Sequence, residues 1–172
     1  MAQLSGTELR QVYEMLVKPM NHPDSIGYMT RALLLSGGDP DYWGSEEKVG
    51  FMPVNPSLAF ELTGVQDVTT LANNISATII MDLMYYEAFG NVTDMVVAFT
   101  YGSDAVTIDG SYTGGIAAFL NDIEEMRPNV LRIVSPPRAT VRDVLQMVKE
   151  QIQGRKPDKG ALKVVNMILE KR

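Results

Sequence analysis

Gly50-Phe51-Met52-Pro53-Val54-Asn55-Pro56-Ser57-Leu58-Ala59 ends a loop and begins a helix. Asn55 offers a side-chain oxygen to the free backbone amides of a first turn. Pro56 supplies a preset φ at a position where no amide is missed. Downstream, this short helix is expected to end near Gly64. A long helix is expected over 68–89 and broken by Gly90-Asn91. Its Ile75, Ile79, Leu83 and Tyr86 recur at three- and four-residue steps. It is apolar on most sides, which predicts the central, buried helix. Thr93 or Asp94 starts another that runs through Phe99. Residues 100–113 read as a loop with a short hairpin at Val106-Thr107-Ile108-Asp109-Gly110, and 113–126 as helix.

Upstream, Ser5-Gly6-Thr7-Glu8 has the form of a capping box, in which the two polar side chains satisfy each other's backbone amides. Leu9, Val12, Tyr13, Leu16 and Val17 follow at helical spacing, and Pro19 closes that helix. Asp24 opens a second one, carrying Ile26, Met29, Leu33 and Leu34. It stops at Gly37-Gly38, since glycine takes the left-handed conformation that ends helices. Residues 38–55 read as a loop. The fold class is therefore mainly α, with little room for a sheet.

A chain of 172 residues fits one compact domain plus an appendage at roughly 150 residues per domain. Hydrophobic residues at 45% and charged ones at 21% exclude a disordered or collagen-like chain. No stretch approaches the ~18 apolar residues of a membrane span. The opening Met1-Ala2-Gln3-Leu4 lacks a basic segment followed by an apolar one, so no secretory signal is expected there. The sequence has no cysteine, which removes disulfides, thiol nucleophiles and cysteine-based metal sites.

The net charge of -6 is unevenly spread. Residues 1–126 carry four basic side chains against 17 acidic ones, a net of -13, whereas 127–172 carry 11 against four, a net of +7. Arg127-Pro128 and Pro136-Pro137 are expected to bracket an extended connector. Thr140 and Asp143 cap a helix to Gln153, and Asp158 caps a last one bearing Leu162, Val165, Ile168 and Leu169. The expected organisation is a body over 1–126 and a basic helical extension over 127–172. Such a tail suits an acidic surface, including the body of another copy.

Several chemistries find no support. Gly37-Gly38 and Gly114-Gly115 lack the flanking Lys-Ser/Thr of a phosphate-binding loop. The single histidine, His22, cannot build a metal site unaided and reads as an ordinary surface residue. No metal or cofactor is expected. Glu46-Glu47 and Glu124-Glu125 read first as solvated faces. No basic stripe interleaved with aromatic residues argues for nucleic-acid readout.

One constellation carries a resemblance. Leu34-Leu35-Ser36-Gly37-Gly38-Asp39-Pro40 is followed by the stretch from Gly50 to Ala59, then by Asn74-Ile75, then by Ala98-Phe99-Thr100-Tyr101-Gly102. In order and spacing this resembles the soluble lytic transglycosylases of the lysozyme superfamily. Their pattern is a helix ending in Glu-Ser-Gly, a loop, Gly-Leu-Met-Gln-x-x-Pro, an Asn-Ile in the next long helix, and Ala-Tyr-Asn-x-Gly. The resemblance covers roughly residues 24–126 and implies a lysozyme-like helical domain that acts on the glycan strands of peptidoglycan.

The family's single glutamate acts as acid and then base, which needs a carboxyl held protonated by an apolar pocket. Leu35 occupies that position, Pro53 stands where the family has glutamine, and Phe99-Thr100 replaces its Tyr-Asn. Gly50, Met52, Pro56, Ala98 and Gly102 keep the packing pattern. The resemblance thus implies a glycan groove at Leu35, Ser36, Met52, Phe99, Thr100 and Tyr101 without catalysis. The functional expectation is a virion-associated protein of a tailed phage, made in the host cytoplasm. It would serve in particle assembly or cell-wall contact, with other virion proteins, copies of itself and peptidoglycan as partners. Two alternatives stay open: an active peptidoglycan-cleaving enzyme with Glu46 or Glu47 as its acid, and a helical adaptor unrelated to lysozymes.

Overall fold

The computed structural model describes residues 3–136, 141–154 and 166–167. It is mainly helical. The chain divides into a unit Met1–Ser135 and a unit Pro136–Arg172.

In the first unit, α1 (Gly6–Val12) opens on the capping box: the Glu8 amide donates to Ser5 Oγ and the Ser5 amide to Glu8 Oε1, both at 3.2 Å. The helix then widens into a π turn, Tyr13–Val17, and tightens into a 3-10 turn, Lys18–Met20. Pro19, with no amide to donate, falls in the tight turn. Helix α2 (Ser25–Ser36) is capped by Asp24 and ends at Gly37, whose φ of 68° is left-handed. The loop after it holds a 3-10 turn at Ser45–Glu47 and pairs Val49 with Trp43 and Val54 in isolated antiparallel bridges.

Helix α3 (Pro56–Thr63) begins at Asn55, whose Oδ1 accepts the Leu58 amide at 3.1 Å. Helix α4 (Leu71–Phe89) starts three residues later than its apolar pattern suggests. Asp67, at a left-handed φ of 51°, turns the chain first, and its carboxylate accepts the Thr69 amide. The middle of α4 is buried on most sides: Ile75 and Ile79 join the main core, Ala77 and Met81 a second cluster. Helix α5 (Val92–Tyr101) is capped by Asn91, ahead of Thr93 and Asp94, and runs two residues past Phe99. No hairpin forms at 106–110. That segment is closed by side chains instead, Thr107 Oγ1 donating to the Ser111 carbonyl and the Ser111 amide to Asp109 Oδ1.

Helix α6 (Gly114–Val134) corrects the expected boundary. It passes through Arg127 and Pro128, so no extended connector starts there. Proline in a helix costs about 3 kcal/mol. Beyond it, Val130 and Val134 are fully buried in the main core, each worth roughly 1.5–3 kcal/mol, and Arg127 is paired with Asp24. Packing outweighs the lost hydrogen bond. The second unit contributes α7 (Val141–Gly154). The expected cap residue Thr140 and most of the last helix lie outside the described residues.

Candidate functional site

The end of α2, the 38–55 loop and the end of α5 meet around a cleft. It consists of two adjoining cavities. The larger, about 320 Å³, is lined by Glu46, Lys48, Pro53, Val54, Asn55, Leu58, Met81, Tyr85 and the run from Ala98 to Gly102. The smaller, about 160 Å³, is lined by Leu35, Tyr42, Ser45, Lys48, Pro53, Phe99 and Thr100. Lys48, Pro53, Phe99 and Thr100 face both.

The cleft's shape is set by two polar side chains that do not line it. Asn74 on α4 accepts the Met52 amide at 2.8 Å and donates to the carbonyls of Met52 and Val49 at 3.1 and 3.3 Å. Gly50, at φ 97°, lets the loop pass so closely that a Cβ would lie 2.2 Å from Asn74 Nδ2. Ser36 is buried; its one hydroxyl proton is shared between the Ala32 and Phe51 carbonyls at 2.8 and 2.7 Å. Helix α2 is thereby tied to the loop and the loop to α4.

Leu35, Phe99, Thr100 and Tyr101 are thus brought together at the cleft, with Pro53 between them. Met52 and Ser36 are elsewhere. Met52 is fully buried in the main core, because the Asn74 bonds turn its side chain inward and leave Pro53 on the cleft side. Tyr101 is 44% exposed and meets Phe119 edge-on at 6.1 Å. Burial pushes the phenols of Tyr85 and Tyr101 up from their ordinary range, so both are neutral hydroxyls near pH 7.

Glu46 and Glu47 sit in the 3-10 turn at left-handed φ values of 58° and 57°. Glu46 lines the larger cavity, but its side chain is 79% exposed and lies 3.7 Å from Lys48 Nζ. Glu47 is exposed and lines neither cavity. A general acid working near neutral pH needs an apolar enclosure around its carboxyl. Glu46 has solvent and an ammonium instead.

His22 is not a surface residue. Its ring is fully buried, with Nε2 donating to Asp82 Oδ2 at 2.7 Å and Nδ1 accepting the Asp24 amide at 2.8 Å. An Nδ1 that accepts carries no proton, so the ring is the neutral Nε2–H tautomer. Asp82 also pairs with both terminal nitrogens of Arg31, which is buried too. The Arg31 guanidinium lies 5.5 Å from the Phe99 ring centre, behind the cleft wall. Beside it, Tyr28 and Thr78 share a hydrogen bond of 2.7 Å, and burial pushes the Tyr28 phenol well up. Reading His22 from its loop neighbours Asn21 and Pro23 missed this network. The signal lay in Asp82, a carboxylate set among the apolar residues in the middle of α4.

Among the described residues no group of three His, Asp or Glu side chains is placed to hold a metal ion. Among them, too, no helix is long and apolar enough to cross a membrane. No protein-family model, curated protein or solved structure matches the chain at a significant level.

Proposed function

We propose that this chain is a lytic transglycosylase-like, lysozyme-like domain that has lost catalysis and holds glycan without cutting it. The observation that carries the reading is the wall of the cleft. Leu35, Pro53, Phe99 and Thr100 meet there, and the one carboxylate lining either cavity is the exposed Glu46. The tie of Ser36 to the Phe51 carbonyl and of Asn74 to the Met52 backbone supports it further. These are polar positions of the resemblance that serve packing, and they are occupied and hydrogen-bonded. At the position that would hold the acid, Leu35 has no proton to give, and Pro53 and Phe99 carry no polar side-chain group.

In this reading the domain is a structural or wall-contacting part of a tailed-phage particle. The basic segment after residue 135, with nine basic side chains against four acidic ones, contacts other virion proteins or further copies. The test is co-sedimentation of the full chain with purified peptidoglycan sacculi. Retention by sacculi that is weakened by Tyr101→Ala supports the reading. No retention in low salt favours an adaptor unrelated to lysozymes. Glu46 does line the larger cavity, and turnover that depended on it would instead make the chain an active enzyme.

A further inference from the structure

We propose that an apolar groove along α1 and the π turn after it receives helix α7 of a second copy, so that copies join head to tail. The inference takes up the tail contact of the reading above and does not depend on the cleft holding glycan. The groove, about 270 Å³, is walled by Leu4, Val12, Met15, Leu16 and Leu71, and Glu8 is the one charged residue lining it. The π turn shapes it. There the Lys18 amide reaches back five residues to the Tyr13 carbonyl, which widens the helix. Met15 lies in the middle of the widened turn and is 73% exposed, whereas Tyr13 and Val17 to either side are buried. Methionine is unbranched and flexible, which suits a surface that must fit an incoming side chain.

The charges around the groove narrow its occupant. Arg10 is turned to the Ile133 carbonyl of α6, and Lys18 is paired with Glu14 at 3.3 Å. The groove therefore presents Glu8, on a body whose residues 1–135 carry six basic side chains against 17 acidic ones. A fitting partner is apolar on one side and basic beside it.

Helix α7 has that form. Met147 and Val148 are exposed and Leu145 is half-buried. Arg142 and Lys149, at helical steps of three and four from Leu145, border the side that carries Leu145 and Val148, and Glu150 falls on the opposite one. A second α7 laid on that side offers no acidic row in return, whereas an acidic body does. The segment after residue 135 carries nine basic side chains against four acidic ones, so the attraction extends beyond the helix itself. An amphipathic helix laid in an apolar groove is a common mode of peptide recognition. Here groove and helix are different surfaces of the same chain, so the contact is heterologous and propagates into a ring or an open chain of copies.

The test is sedimentation equilibrium of the full chain and of two variants, Met15→Glu in the groove and Val148→Glu in α7. Both residues are exposed, so neither change burdens the core. The wild-type chain is expected to associate with rising concentration, about fivefold more weakly in ~0.5 M than in ~0.05 M salt. Each variant alone is expected to stay monomeric. An equimolar mixture of the two should form a dimer and nothing larger, because the first supplies an intact helix and the second an intact groove. A wild-type chain that is monomeric throughout, or whose association salt leaves unchanged or strengthens, overturns the proposal. So does association of either variant alone at the wild-type level, since one of the two surfaces is then not used. A mixture that stays monomeric overturns it as well, because the contact is then symmetric. Retention of a monomeric chain by sacculi would leave the glycan-holding reading standing without this one.

Discussion

Asn74 holds Met52 by both of its backbone groups, accepting its amide at 2.8 Å and donating to its carbonyl at 3.1 Å. One side-chain amide on α4 thus fixes the loop that forms a wall of the cleft. Because both atoms of the pair are buried, no water can replace the lost bonds. Asn74→Ala is expected to lower unfolding stability by about 3 kcal/mol, read from urea denaturation. A loss under about 1 kcal/mol would mean that the loop is held by other means.

Asp82 is the shared anion of His22 and Arg31, all three buried. Removing it strands the Arg31 charge in the core, which costs about 3–5 kcal/mol. Asp82→Ala should therefore be severely destabilised. Adding Arg31→Met should recover part of the loss, since the stranded charge goes too. If the double variant is as unstable as the sum of the two singles, measured by the same denaturation, the pair is not coupled.

Acid stability should depend on Asp24. Burial alone would raise its carboxyl, but the Arg127 side chain and the Gly27 amide bond to it and together hold it below its ordinary 3.8. A depressed folded-state value means that the stability it lends is present above about pH 4 and is lost as pH falls through the lower, folded value. The difference in melting temperature between wild type and Asp24→Asn should thus be full at pH 7 and shrink below pH 3.8. A difference that stays constant from pH 7 to pH 2 would contradict the pairing.

The end of α6 belongs to the body. A chain ending at Met126 loses Arg127, Val130 and Val134, two of which are fully buried. Their burial alone, at roughly 1.5–3 kcal/mol each, approaches the 5–15 kcal/mol by which small domains are typically stable. That chain should be unfolded or aggregated by circular dichroism, while one ending at Ser135 should fold. Normal folding of the shorter chain would restore a boundary at 126.

What was legible in the sequence follows from what is local. The caps at Ser5, Asp24 and Asn55 each depend on residues within one turn, and each forms. The burial of α4 follows from its own composition. The sequence pattern named Leu35, Phe99, Thr100 and Tyr101 together, and they do meet at the cleft. What failed to read out depends on distant partners. His22 gains its burial from Asp82, 60 positions away. Pro128 looked like a helix stop because the valines that hold the helix beyond it find their core on other elements. Motif order gives the nearness of Met52 to the groove but not the direction of its side chain, which lies in the main core.

The most direct measurement of the central claim is muropeptide release from purified sacculi by the full chain, followed chromatographically. With Leu35 in the wall and Glu46 exposed, release should not exceed the buffer blank, and Glu46→Gln and Glu47→Gln should leave that result unchanged. Leu35→Glu alone should not create full activity, because Pro53 and Thr100 still line the same cleft. Release clearly above the blank that disappears in Glu46→Gln would contradict the account and make this chain an enzyme.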